Sequence, residues 1–177
     1  MKLRFFQVLT LLLTTMVITL TACKPPSKTN SEEYKSPGDL AKERQTEIME
    51  CFITKDAETL KSFFCEYVIE AYPDIDTKID EAFNFLDGEI VSYDEPFSSE
   101  SGSKEKKDYG ATTRKILTDK GTEYTIAFKG WLSNKEDPLK EGITVIVIRN
   151  ETIKTRLESN GDENLDELFR VCIGDTE

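Results

Sequence analysis

The sequence predicts an α+β fold in which N-terminal helices pack on one face of a curved antiparallel sheet of about four strands. Three observations carry this. Apolar residues recur at helical spacing from Leu40 to Leu86, and the pattern changes to alternation after Gly88. Asp119-Lys120-Gly121 then separates two alternating runs in the manner of a hairpin turn.

The folded domain is expected over residues 39–177, with Asp39 as a helix N-cap after Pro37-Gly38. Leu40, Ile48, Cys51 and Phe52 keep helical spacing to about Thr54. Asp56 is a second start signal. Leu60, Phe63, Phe64 and Tyr67 follow at i, i+3, i+4 and i+7, so both phenylalanines are expected to face the core of one amphipathic helix. Tyr72-Pro73-Asp74 breaks the chain and starts a third helix, with Ile75, Ile79, Ala82, Phe83 and Leu86 in one stripe. Gly88 stands where a left-handed cap belongs.

Glu89 to Tyr93 is a short strand candidate, and the serine-rich stretch 94–107 reads as a mobile loop. Tyr109–Thr118 and Thr122–Leu132 flank the Gly121 turn. In the second run Tyr124, Ile126, Phe128 and Leu132 share one face, and Thr125, Ala127, Lys129 and Trp131 share the other. The more apolar face should turn toward the helices, which makes Tyr124, Ile126 and Phe128 candidates to line a cavity. A loop over 134–142 leads to Ile143–Ile148, expected as a central strand buried on both faces. Past Asn150 the pattern weakens, and Leu165–Cys172 fits a last helix or a short closing strand.

Before the domain, Lys2 and Arg4 precede the uncharged stretch Phe5–Leu20, which falls short of the about 20 apolar residues of a membrane span. Leu20-Thr21-Ala22-Cys23 looks like a bacterial lipobox. On that reading residues 1–22 are a signal peptide, Cys23 carries a diacylglyceryl group, and residues 23–38 are a tether of roughly 20 Å. The protein is then extracytoplasmic and attached to the cell membrane. Processing would leave 155 residues and, with two cations lost, shift the net charge from −11 to −13. Such a surface gives no electrostatic basis for binding nucleic acid and repels anionic headgroups, so the acyl chains must do the anchoring.

Cys51-Phe52-Ile53-Thr54-Lys55-Asp56, followed by Leu60-Lys61-Ser62-Phe63-Phe64, resembles the opening of the nuclear-transport-factor-two-like, or cystatin-like, cone fold. Phe85-Leu86-Asp87-Gly88-Glu89-Ile90-Val91-Ser92-Tyr93, Thr118-Asp119 before a Tyr-Thr-Ile strand, and a late Gly142-Ile143 are similar to a narrower group. That group is the domain-of-unknown-function family fifty-one-zero-four of Gram-positive bacterial lipoproteins. The resemblance covers about Asp39 to the C-terminus. It implies fold and location but no residue roles.

The chemistry is bounded by what is missing. With 0 His the chain has no imidazole for a triad, a zinc-protease motif or a general base. Beyond Cys23 stand Cys51, Cys65 and Cys172, an odd set without metal-ligand spacing. Cys51 and Cys65 are expected as free, buried thiols, since packing of their helices sets them about 9 Å apart along the axis. A Cys51–Cys172 or Cys65–Cys172 bridge stays open. Asp74–Phe85 and Asp162–Ile173 begin like calcium loops but lack the required Gly and terminal Glu, so they read as helix starts. No metal, cofactor or catalytic residue is assigned.

The expected function is a non-catalytic module that binds a small ligand or a surface protein, with a homodimer through the sheet face as a further use. The alternative is an isomerase- or dehydratase-like enzyme. That would need an Asp or Glu buried in the cone and facing a tyrosine hydroxyl.

Overall fold

The computed structural model describes residues 35–159 and 170–174. The expected signal peptide, Cys23 and most of the tether lie outside these residues, as does most of Leu165–Cys172. Among the described residues are five α-helices and one six-stranded antiparallel sheet.

Helix α1 (Pro37–Thr54) starts earlier than expected, because Ser36 rather than Asp39 is its cap. The Asp39 N–H donates to Ser36 Oγ at 3.1 Å, and the Ser36 N–H donates to the Asp39 carboxylate at 3.3 Å. This reciprocal box fixes the first turn, and Pro37 fits where no N–H is needed. Lys55 ends the helix in a left-handed conformation, and its Nζ donates to the Phe83 carbonyl at 3.0 Å.

The single amphipathic helix expected after Asp56 is two short ones, α2 (Ala57–Ser62) and α3 (Glu66–Ala71). Between them the backbone turns to the sheet. The Cys65 N–H donates to the Ile143 carbonyl at 2.9 Å, and the Ile143 N–H donates to the Phe63 carbonyl at 3.0 Å. Those two bonds replace helical ones and reset the side chains. Phe64 is buried, whereas Phe63 is only partly so and lies under the Arg44 guanidinium, 4.1 Å away. The expectation that both point into the core holds for Phe64 alone.

Helix α4 (Ile75–Phe85) buries the expected stripe. Leu86 after it is extended, so Gly88 is not a helix cap. Its positive φ instead makes room for the Asp119 carboxylate, which accepts from the Glu89 N–H at 2.9 Å.

The strands are β1 (Ile90–Ser92), β2 (Phe97–Gly102), β3 (Lys106–Thr118), β4 (Glu123–Asn134), β5 (Gly142–Asn150) and β6 (Arg170–Gly174). Their order is β1-β3-β4-β5-β6, with β2 also paired to β3. Strands β1 and β2 occupy the same edge of β3, one after the other. The stretch expected as a mobile loop is therefore a strand in its middle: Phe97–Gly102 pairs with Thr112–Lys107. Residues of weak strand propensity are held there because β3 presents an open ladder to them. Gly102 turns the hairpin at positive φ.

Strand β5 is fully buried on one face and only partly on the other, where Val145 is buried but the residues after it open toward solvent. Ile146 and Ile148 are inaccessible, while Val147 is half-buried and Arg149 exposed on the other side. Helix α5 (Glu151–Ser159) follows directly, capped by Asn150 Oδ1, which accepts from the Ile153 N–H at 2.9 Å. Strand β6 then closes the sheet against β5, so a strand covers residues 170–174.

The core lies between the helices and the inner face of the sheet. Ile48, Phe52, Leu60, Val68 and Ile79 meet Ile116, Tyr124, Ile126, Ile146 and Ile148 there, and Phe52 packs edge-on against Phe83 at 5.1 Å. No helix among the described residues is long and apolar enough to cross a membrane.

Candidate functional site

Tyr124, Ile126 and Phe128 share the inner face of β4, with Tyr124 and Ile126 at 0% exposure and Phe128 at 3%. Phe128 packs edge-on against Tyr109 at 5.3 Å. The Tyr124 hydroxyl accepts from the Asp87 N–H at 2.9 Å and donates to the Phe85 carbonyl at 3.2 Å. Burial pushes its pKa up. These three side chains form packed core with the helices. Above them, Gln45 of α1 donates to the Ile126 carbonyl at 3.0 Å; its own Oε1 and the Thr113 hydroxyl are buried without partners.

Among the described residues the buried polar side chains are Gln45, Thr113, Thr118, Thr125, Asn134 and Asn150. Asp87, whose N–H bonds the Tyr124 hydroxyl, points its carboxylate to solvent and pairs it with Lys120 at 2.6 Å.

Cys51, Cys65 and Cys172 are free thiols, with the first two buried as expected and neither open bridge formed. Burial, with Asp56 adding to it, pushes the Cys51 thiol up to about 11, and burial raises Cys65 as well. Neither is a thiolate near neutral pH. Asp74 stands at the start of α4, and the second calcium-like stretch lies mostly outside the described residues. Among the described residues no three His, Cys, Asp or Glu side chains converge as a metal site would require.

A concave site does exist, at the far end of β4. Strand β4 passes an irregularity at Lys129/Gly130 before presenting Trp131. Gly130 is required there: any Cβ would collide with the Gly142 carbonyl. Beyond Trp131 the chain loops through a 3-10 turn (Pro138–Lys140) and returns, so that the Trp131 backbone bridges Glu141. Asn134, 3% exposed, braces this loop by accepting from the Asp137 N–H at 3.1 Å, while its own N–H donates to the Glu141 carboxylate at 2.9 Å.

The result is a cleft of about 380 Å3 between this loop, the start of β3 and helix α3. Trp131, half-buried, and Tyr67 supply its aromatic surface. The Lys140 ammonium sits over the Tyr67 ring at 4.4 Å, and Lys106 pairs with Glu136 at 2.6 Å on the rim. Flat apolar surface ringed by donors and acceptors of both signs suits a small polar ligand with one apolar face. The sequence placed Trp131 on the outer face of its strand but did not show that Tyr67, Asn134 and Lys140 would gather beside it. The only signal was a polar loop directly following the one tryptophan.

Residues 47–155 match the model of a family described as a domain of unknown function, DUF5104. No curated protein matches the chain.

Proposed function

The chain belongs to the DUF5104 family, and on that footing we propose that it is a ligand-binding module tethered outside the cell by a lipid at Cys23. The Trp131 cleft is its binding site. The observation that carries this reading is the position of the single tryptophan, half-buried in the wall of a polar cleft instead of packed in the core. The loop beside it is braced by the buried Asn134, and the facing Tyr67 ring is held under the Lys140 ammonium, so the cleft is pre-organised, which reduces the ordering cost of binding.

The arrangement is further read as a cystatin-like cone. Register shifts within β3 and between β4 and its neighbours support that reading, because bulges bend the strands that carry them. The isomerase-like alternative has less support. Its carboxylate would have to face a tyrosine hydroxyl inside the cone, and the Tyr124 hydroxyl is engaged by two backbone groups.

Trp131 is its own reporter. Titration with neutral sugars, amino acids and short peptides should shift or quench its fluorescence saturably for one class, and Lys140→Ala should weaken that response. A response unchanged by Lys140→Ala and Tyr67→Ala, or none across the panel, would count against the cleft.

A further inference from the structure

The outer face of the sheet carries a second concave surface, which shares Thr144 with the Trp131 cleft but does not rest on the reading given to that cleft. It is a groove of about 400 Å3, floored by Ala127, Val145 and Val147 and flanked by Lys129, Arg149 and Arg170. Strand register gives it an order. Val147 stands between Ala127 and Cys172 in one row, and Arg149 is directly opposite Arg170 in the next. Lys129 is opposite Val145, four residues along β5 from Arg149, or about 13 Å at the rise of a strand. Among the described residues no carboxylate lines the groove. Among the described residues none of the three cations forms an ion pair.

Two features of this face run against the rest of the molecule. A chain of net charge −11 gathers three cations, none ion-paired among the described residues, around an apolar strip. It also sets two arginines directly opposite each other on neighbouring strands, an arrangement that destabilises a sheet. An anion between the two guanidinium groups would remove the repulsion, and their planar forks are suited to holding one. The Arg170 Nε–H is turned to Cys172 Sγ at 3.0 Å, which leaves the terminal nitrogens of that guanidinium for a ligand.

We propose that this groove binds a free amphiphilic anion. Its carboxylate or phosphate head sits between Arg149 and Arg170, and its aliphatic body lies over Val147, Ala127 and Val145 toward Lys129. The volume falls in the about 300–1,000 Å3 range of small-molecule sites. A two-fold pair of chains docked through this face would set the same cations against one another, so the face fits an anion better than a second copy.

The test is calorimetric titration of the purified protein with decyl phosphate below its micellar concentration, with decanol and inorganic phosphate as controls. Decyl phosphate should bind saturably and more tightly than either control, and added salt should weaken it. Arg149→Gln and Arg170→Gln should each lower its affinity roughly tenfold, and Trp131→Ala should leave it unchanged. Without ligand, Arg149→Gln should melt above the parent protein, because it removes the like-charge pair. Decanol or inorganic phosphate binding as tightly as decyl phosphate would overturn the proposal, and so would undiminished binding by a folded Arg149→Gln. Retention on phosphatidylglycerol vesicles that depends on Arg149 would overturn the assignment to a free ligand.

Discussion

The Tyr124 hydroxyl holds the end of α4 to the sheet: it satisfies the Asp87 N–H and the Phe85 carbonyl at a site the solvent does not reach. Tyr124→Phe keeps the ring and strands both groups, so it should cost about 1–3 kcal/mol in chemical denaturation. The neighbouring phenylalanines should separate in the same assay. Phe64→Ala is expected to cost about 3–5 kcal/mol, as for a core aromatic. Phe63→Ala should cost clearly less, since that ring is partly exposed and stacked under Arg44. Helical spacing could not separate these two residues, because what divides them is a pair of backbone bonds to Ile143, far along the chain. Thiol chemistry gives a third check. In a Cys23→Ser variant at pH 8, a disulfide reagent should titrate Cys172 in the native protein and reach Cys51 and Cys65 only after denaturation.

At the scale of elements, the helix starts are tuned by carboxylates. Hydrogen bonds from Ser36 hold the Asp39 carboxyl below its usual 3.8, and the Thr59 N–H and hydroxyl do the same for Asp56. A depressed folded pKa means stability that is complete above the ordinary value and lost as pH falls through the lowered one. The denaturation midpoint should therefore fall below about pH 3.8, and more shallowly in a variant carrying both Asp39→Asn and Asp56→Asn. Ser36→Ala should cost about 1 kcal/mol at neutral pH. Strand β2 makes the converse point. Ser98, Ser99, Glu100 and Ser101 carry no strand signal of their own, and their order comes from the ladder with β3. Backbone amides in 97–102 should accordingly exchange far more slowly than an unstructured loop; exchange at loop rates would show that the ladder does not persist in solution. Local pattern thus reveals elements that bury apolar stripes, such as α4 and β4, and hides those recruited by a neighbour's open edge.

For the whole molecule, apolar patterning specified the α+β class and the inner face of β4, because a buried stripe leaves a periodic trace. The Trp131 cleft left almost none. It arises where Gly130, Gly142 and the Asn134–Lys140 loop bring residues from α3 and β3 together, and such convergence has no period. The proposed tether belongs to this scale too, since it determines where a processed chain of net charge −13 can act. The acidic body has no general affinity for an anionic bilayer, so attachment rests on the acyl chains proposed at Cys23. Cys23→Ala should move the protein from the membrane fraction to the medium, or leave it unprocessed, and should abolish labelling by radioactive palmitate. The variant should keep the parent's thermal midpoint, because Cys23 lies ahead of α1 and its cap. Labelling that persists in Cys23→Ala would remove the lipid from this position and with it the basis for placing the domain outside the cell.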